Sequence, residues 1–141
     1  MKVSVFTGKI TIDDRGGYEV FDITDKVQAE VKKSELLSGT VTIFVPGSTG
    51  AVTTVEHEPG LVKDLEEFFD TYIPSGKTYH HDRRWHDGNG HSHVRASLVG
   101  ASISVPFVNG KLILGTWQQI IFLEFDNKPR HREIVVQVLG E

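Results

Sequence analysis

The 141-residue chain has no cysteine, one methionine and two tryptophans. The absence of cysteine excludes disulfides, thiolate metal sites and cysteine nucleophiles together. Basic residues are outnumbered, because 15 Lys and Arg stand against 19 Asp and Glu and give a formal charge of -4. Binding to a nucleic-acid backbone depends on an excess of basic side chains, so we do not expect nucleic acid as a partner.

Long hydrophobic runs are missing as well. No segment approaches the roughly 20 apolar residues that cross a bilayer, which argues against a membrane partner. Residues 1–7 alternate like a strand and lack the features of a secretion signal. We expect a soluble cytoplasmic protein, and the length fits one domain that covers residues 1–141.

Short β-branched and aromatic segments recur along the chain and predict a mainly β fold. An alternating segment before the turn at residues 13–17, followed by a return segment at 18–21, is typical of a hairpin. The last third is typical of a β-meander with a turn at Asn109-Gly110. Further strands are expected near residues 40–45, 51–56, 103–107, 112–114, 117–126 and 133–139.

Two or three short helices are predicted beside these strands. Thr24 is a candidate N-cap for a helix that ends near Gly39. A clearer helix begins at Pro59 and stops before Pro74, since its apolar residues are spaced three and four apart. The segment after Asn89 fits a short helix or a strand. These elements predict a two-layer antiparallel β-sandwich with helices packed outside it.

The segment 79–93 is polar and holds five of the seven histidines. Imidazole is the commonest protein ligand for zinc-like ions, and nearby carboxylates can ligate the ion or orient the ring. If the chain after Asn89 is helical, Asn89 and His93 share a face; if it is extended, His91 and His93 do. We take His81 and His93 as the first pair of metal ligands and His91 as the third. Histidines that are merely exposed in a polar loop are the alternative.

Period-two alternation along the strand after Trp117 places Gln118 and Glu124 on one face, and both are candidate catalytic residues. A buried glutamate needs a partner, which the histidines or the nearby Arg130 and Arg132 can supply. The alternative for Glu124 is a salt bridge at a sheet edge, which carries little energy.

The loop Gly47-Ser48-Thr49-Gly50 offers hydroxyl groups and unhindered backbone amides between two predicted strands. Such a turn can hold an oxyanion or a phosphate, so Ser48 and Thr49 are candidate substrate-binding residues. It is not a P-loop, because no Gly-Lys-Ser/Thr follows. An ordinary tight turn is the alternative, just as a solvated strand end is the alternative to a catalytic role for Glu56.

Five motifs in a fixed order carry a resemblance that covers essentially the whole chain. They are Tyr79-His80-His81, Asn89-Gly90-His91-Ser92-His93, Leu114-Gly115-Thr116-Trp117-Gln118, Glu124-Phe125-Asp126 and Val138-Leu139-Gly140-Glu141. In this order they resemble the YjbQ family, and Leu-Gly-Thr-Trp-Gln is the most distinctive of them.

The resemblance implies a jelly-roll-like β-sandwich that assembles as a homotrimer, with a polar pocket near the subunit boundary. It also implies a divalent metal cofactor, for which zinc is the first candidate. Position by position, His81 and His93 match family histidines and Asn89 matches a family asparagine. Gln118 ends the tryptophan-glutamine motif, and Glu124 lies on the acidic strand. Asn89 therefore joins the candidate catalytic residues.

The YjbQ family is associated with a secondary thiamine-phosphate synthase activity, which joins a pyrimidine diphosphate to a thiazole phosphate and releases pyrophosphate. The resemblance thus implies small phosphorylated molecules as partners. A metal and Arg130 or Arg132 would stabilise the departing pyrophosphate, so both arginines are candidate substrate-binding residues. The alternative is a non-catalytic trimeric module in which the same histidines hold a metal or an anion.

Overall fold

The computed structural model describes residues 2–141, which fold into eight strands and four helices. The strands are β1 (Ser4–Asp13), β2 (Glu19–Asp22), β3 (Gly39–Phe44), β4 (Gly50–Val55), β5 (Ser102–Val108), β6 (Lys111–Leu112), β7 (Gln119–Glu124) and β8 (His131–Gly140). The helices are α1 (Thr24–Ser34), α2 (Pro59–Tyr72), α3 (His80–Trp85) and α4 (Gly90–Val99).

The strands form two antiparallel sheets. The larger sheet has the order β1-β8-β3-β5-β6, and the smaller has the order β2-β7-β4. β8 lies between β1 and β3, and it pairs with β1 from Ser4 opposite Gly140 to Asp13 opposite His131. The last strand in the sequence therefore holds the first and third strands together.

The facing sides of the two sheets share one hydrophobic core. Ile134, Val136 and Val138 of β8 alternate with more exposed residues, and Ile120 and Phe122 of β7 belong to the same buried cluster. Alternation places every second side chain of a strand on the core side. α1 contributes buried side chains to this core as well.

A second core covers the other face of the smaller sheet. Ile121 and Leu123 of β7 belong there to one buried cluster with Phe69 of α2 and Ala96 of α4. β7 is therefore covered on both sides, which explains the continuous apolar run at residues 120–123, since such a strand has no solvent-facing side to keep polar.

Local signals set the ends of the first two helices. α2 begins at Pro59 as predicted, and the Glu58 carboxylate accepts hydrogen bonds from two backbone N–H groups of the first turn. α1 ends at Ser34, earlier than predicted, because Glu35 adopts a left-handed φ of 59° that terminates the helix. Thr24 is the first helical residue rather than the N-cap.

The mainly β prediction is confirmed, with corrections to its details. There are four helices rather than two or three, because the polar segment 79–93 forms α3 and the start of α4. The predicted hairpin across residues 13–17 is wrong, since β1 pairs with β8 while β2 pairs with β7. The turn signal was correct, but the two strands it joins enter different sheets.

The predicted C-terminal meander is also wrong beyond its first turn. β5 and β6 form the hairpin expected at Asn109-Gly110, but β7 lies in the smaller sheet and β8 in the centre of the larger one. A five-stranded and a three-stranded sheet do not clearly define a jelly roll, which builds its two sheets from eight strands in two Greek keys. The longest helix, α2, has 14 residues, and no helix in the described range could span a membrane.

Candidate functional site

Two short helices organise the histidine-rich segment. Asp82 of α3 accepts hydrogen bonds from the backbone N–H groups of Tyr79 at 3.0 Å and of Gly90 at 2.8 Å, and so ties the starts of α3 and α4 together. A side chain at position 90 would lie 2.5 Å from Cβ of Tyr79, so the close approach of the two segments requires glycine there. This junction brings the histidines of both helices to one place.

His81 of α3 and His93 of α4 lie side by side, with ring centroids 4.2 Å apart and ring planes inclined by 39°. Because residues 90–99 are helical, the alternative that places Asn89 and His93 on one face of α4 is the one adopted. Both rings are half-buried. Burial, and after it the neighbouring His81, lowers the pKa of His93, which favours the neutral imidazole.

Two carboxylates complete what we call the histidine–carboxylate cluster, which consists of His81, His93, Asp82 and Asp87. His81 Nδ1 lies 3.5 Å from Asp87 Oδ1 and 3.9 Å from Asp82 Oδ1. His81, Asp82 and Asp87 each place one ligand atom within 4.8 Å of the others, as a metal site requires. His81 Nδ1 is buried and has no hydrogen-bond partner within residues 2–141. The cluster thus offers an unused imidazole nitrogen beside two carboxylates.

His91 does not join this cluster. It is 6% exposed, and its Nε2 makes a long contact of 3.4 Å with Ser92 Oγ. Its ring centroid is 6.5 Å from that of Tyr79. Since one helical residue turns about 100°, residues two apart such as His91 and His93 lie on nearly opposite sides of α4. The predicted third ligand therefore points away from the first two.

Asp126, which follows β7, connects the start of α4 to the centre of the protein through Asn89. Its fully buried carboxylate accepts hydrogen bonds from Asn89 Nδ2 at 3.2 Å and from Thr49 Oγ1 at 3.1 Å, and Arg130 approaches it through Nε at 2.7 Å and Nη2 at 2.6 Å. Burial alone would raise the pKa of Asp126. Hydrogen bonds from Asn89 and Arg130 outweigh burial and lower it, so this carboxylate stays charged.

Glu124 and Arg132 form a second ion pair beside Asp126. Arg132 donates from Nε at 2.7 Å and from Nη2 at 2.6 Å to the two oxygens of Glu124, which is fully buried. Nη2 of Arg132 also donates to Thr49 Oγ1 at 2.8 Å. Burial raises the pKa of Glu124; Arg132 opposes this, and the neighbouring carboxyl group of Asp14 adds to the rise. We call Glu124, Asp126, Arg130 and Arg132 the buried ion network.

The remaining predicted residues lie elsewhere. Gln118 and Glu56 are exposed and flank the edge where β7 begins and β4 ends, since Val55 pairs with Gln119 and Gly50 with Glu124. At about 3.4 Å per residue, the length of β7 separates them from Glu124 by roughly 17 Å or more. Ser48 is exposed, whereas its neighbour Thr49 is buried and bound to Arg132 and Asp126. Of these four residues, only Thr49 lies at the buried ion network; Ser48, Glu56 and Gln118 do not.

Sequence reasoning missed Asp82, Asp87 and Asp126. Asp126 is two residues after Glu124, and side chains two apart in extended chain point to the same side. This spacing was a signal for a second inward-pointing carboxylate. Asp82 and Asp87 lie within the histidine-rich segment itself. Their role became visible only when α3 and α4 came together.

The fold and these contacts define a small, mainly β protein in which a histidine–carboxylate cluster adjoins a buried ion network. A family model described as "UPF0047 protein YjbQ-like" matches residues 8–141, and the chain belongs to that family. The resemblance seen in the sequence is therefore confirmed.

Relatives from both archaea and bacteria match nearly end to end. A UPF0047 protein of Archaeoglobus fulgidus is 42% identical over 131 residues, covering 93% of this chain and 99% of the other. The UPF0047 protein YugU of Bacillus subtilis is 39% identical over 124 residues, covering 86% and 90%. The crystal structure of a Sulfolobus solfataricus protein, described as YbjQ-like and of unknown function, has a TM-score of 0.93 at 35% identity and covers 99% of this chain and 100% of that one. These matches establish a family whose function is unknown.

Proposed function

We propose that the protein is a metal-dependent enzyme that acts on small phosphorylated molecules at the histidine–carboxylate cluster. The observation that carries this proposal is the pairing of His81 and His93, at 4.2 Å between ring centroids, next to the carboxylate of Asp87. Two imidazoles and a carboxylate are a common ligand set for catalytic zinc, which leaves a further position for a substrate.

The residues fit a divalent ion on chemical grounds. Buried polar atoms are normally hydrogen-bonded, so the unpartnered Nδ1 of His81 is a position where a bound ion would supply the missing partner. Asp82 already accepts two backbone N–H groups, which leaves Asp87 as the carboxylate freer to bind a metal. Ligand atoms of His81, Asp82 and Asp87 lie within 4.8 Å of one another, so a divalent ion held by His81 and Asp87, with a shift of the His93 ring toward it, would supply a Lewis acid for phosphoryl oxygens.

The buried ion network supports the phosphate part of the proposal. Arg130 uses Nε and Nη2 on Asp126, and its side chain is still 38% exposed. Its position is fixed by a buried carboxylate while part of its guanidinium remains open to an anion. Arg132, by contrast, is held by Glu124 and Thr49 and would act by neutralising the buried Glu124 carboxylate beside Asp126.

The specific reaction we propose to test is thiamine-phosphate synthesis. The bond between the pyrimidine methylene carbon and the diphosphate oxygen breaks, pyrophosphate leaves with the electron pair, and the thiazole nitrogen forms the new bond to the methylene carbon. Arg130 would stabilise the charge that develops on pyrophosphate, and the site would hold the two reactants in contact. This activity is proposed as a secondary one.

The test begins with protein purified without added metal and analysed for its elemental content. Zinc is then titrated into the wild type and into His81→Ala, His93→Ala and His80→Ala, where His80 is an exposed control on the same helix. We expect the first two variants to lose zinc affinity and the control to keep it. Pyrophosphate release from the two thiamine precursors should fall in the same two variants. Equal zinc binding in all four proteins would refute the metal site.

A non-catalytic metal- or anion-binding module is the second candidate, and the fully bonded state of Asp126 favours it, because a saturated carboxylate has no free oxygen for chemistry. The two candidates differ in what His93→Ala does. An enzyme loses turnover but keeps its thermal stability, whereas a structural metal site loses stability, because metal that binds the native state adds to the free energy of unfolding.

We also propose the homotrimer and the jelly-roll-like sandwich that the family resemblance implies. In support of self-association, Val5, Phe44 and Leu139 are 60%, 45% and 45% exposed on the larger sheet, and Val5 pairs directly with Leu139. An apolar pair on an open sheet face is typical of an interface. Sedimentation equilibrium of the wild type and of Leu139→Glu tests this; we expect a trimer for the former and a monomer for the latter.

A further inference from the structure

α4 has a second polar side opposite the one that carries His93. His91 and Arg95 are four residues apart, so they share that side of the helix. Their exposed fractions are only 6% and 4%. Two polar side chains that are this deeply buried need partners, and they line a cavity that the histidine–carboxylate cluster does not use.

This cavity, which we call the Arg95 pocket, has a volume of about 450 Å³. Its polar lining consists of Tyr18, Asp70, Ser75, His91, Arg95 and Asn127. Phe125 and the ring of Tyr18 supply apolar walls. Pockets of this size that combine apolar walls with a few fixed polar groups are typical of small-molecule sites.

The charge in the pocket comes from Arg95, which is held firmly. Its Nε donates to Ile73 O at 3.0 Å, and its guanidinium lies 5.5 Å from the ring centroid of Phe69. Its carboxylate partner is Asp70, at 3.3 Å from Nη2, and the Asp70 side chain is 63% exposed. A long contact to a solvated carboxylate neutralises a buried cation poorly, and the guanidinium has five N–H donors of which these contacts use two.

His91 adds an independent sign of a ligand. Its Nδ1 is buried and has no hydrogen-bond partner in the described part of the chain. Ser92 Oγ donates its only proton to Phe125 O at 2.5 Å, so in its 3.4 Å contact with His91 Nε2 it can only accept from an N–H. With the proton on Nε2, Nδ1 of the neutral imidazole is the acceptor. A ligand would therefore meet His91 with a hydroxyl or N–H group.

We propose that the Arg95 pocket binds a small organic anion that also carries a hydroxyl or N–H group. The anionic group pairs with the guanidinium of Arg95, the hydroxyl or N–H group donates to Nδ1 of His91, and the apolar body packs against the wall that Tyr18 and Phe125 form together. Asp70 competes with the ligand for Arg95, so it limits the affinity. The site is separate from the histidine–carboxylate cluster and does not depend on a metal.

The test uses 3-hydroxybenzoate and inorganic phosphate as probes, and 3-hydroxybenzyl alcohol as the neutral counterpart. Titrations into ¹⁵N-labelled protein are followed by NMR, with the amides of Gly17, Gly88 and Asn127 as reporters, since all three residues line the pocket. We expect saturable shifts with at least one anion and none with the alcohol. A response to 3-hydroxybenzoate alone identifies a carboxylate ligand, and a response to phosphate alone identifies a phosphate ligand.

Three variants locate the binding. Arg95→Gln should weaken it about tenfold or more, the usual loss when a charge-assisted hydrogen bond is removed. Asp70→Asn changes an exposed side chain, so it keeps the fold and should tighten the binding because it removes the competing carboxylate. His93→Ala should leave the affinity unchanged, which separates this site from the proposed metal site. The proposal is overturned if neither anion binds, if Asp70→Asn fails to tighten the binding, or if His93→Ala abolishes it.

Discussion

Arg132 and Glu124 form a two-point ion pair between the sheets, with Nε at 2.7 Å and Nη2 at 2.6 Å from the two carboxylate oxygens. They come from β8 and β7, which belong to different sheets. The pair is therefore a polar link across the hydrophobic core, and it lies beside the proposed phosphate-binding region.

Breaking this pair on one side should destabilise the protein strongly. We expect Glu124→Leu or Arg132→Met to cost about 3–5 kcal/mol each, because either change leaves a buried charge without its partner. The double variant Glu124→Leu with Arg132→Met should lose much less free energy of unfolding than the two single variants lose together. Urea denaturation of all four proteins measures this, with Lys9→Ala as the control, since Lys9 forms an exposed pair with Glu133 and should have little effect. Additive single effects would argue against a coupled pair.

The carboxylate of Asp126 should make stability depend on pH on the acid side. Its pKa in the folded protein is lowered from the ordinary value of 3.8. The contribution of Asp126 to the free energy of unfolding is therefore fully present above pH 3.8 and is lost as the pH falls from there through the lowered pKa. We expect Asp126→Asn to lose about 1–3 kcal/mol at neutral pH. The difference in free energy of unfolding between the two proteins should shrink below pH 3.8. A difference that stays constant with pH would show that the charge of Asp126 is unimportant.

Metal affinity should depend on the carboxylate of the histidine–carboxylate cluster and not on the predicted catalytic Glu56. Asp87→Asn should weaken zinc binding about tenfold or more, since a carboxylate ligand is lost. Glu56→Gln should leave zinc binding unchanged, because Glu56 is exposed after the end of β4 and is not among the residues whose ligand atoms lie together. Isothermal titration of the two variants with zinc makes the comparison. Loss of affinity in Glu56→Gln would mean that the ligands lie elsewhere.

Two glycines permit the close approach of β3 and β8. Gly39 pairs with Gly140, and a Cβ at position 140 would lie 2.1 Å from Ser38 O. We expect Gly140→Ala to destabilise the protein by about 1–3 kcal/mol through overpacking against the backbone. Gly76→Ala is the matched control, because a Cβ there meets nothing within 4 Å. Thermal unfolding of the two variants should separate them; equal midpoints would contradict the prediction.

Local patterns predicted several elements correctly because their causes are local. Pro59 began a helix where its fixed φ and missing N–H are tolerated, and Asn109-Gly110 formed the expected hairpin turn. The segment after Asn89 was predicted only as a helix or a strand, and the helix found there is the alternative that places Asn89 and His93 on one side. The family resemblance rested on motifs in the sequence and needed no geometry.

Other features depended on long-range pairing that periodicity does not encode. Alternation predicted that Gln118 and Glu124 share a strand face, but β7 begins at Gln119, so the exposed Gln118 lies before the strand whose far end carries the buried Glu124. The turn at residues 13–17 is present, yet its two strands pair with β8 and β7, which are distant in the sequence. Asp87 entered the histidine–carboxylate cluster only through the junction of α3 and α4.

The central position of β8 bears on how the chain folds as it leaves the ribosome. β1 and β3 have no pairing with each other and are joined only through β8, which is synthesised more than a hundred residues after β1. Until then the facing edges of both strands lack the backbone hydrogen-bonding partner that β8 supplies. Formation of the larger sheet is therefore a late event with high contact order, and unpaired strand edges of this kind are sites of aggregation until it occurs.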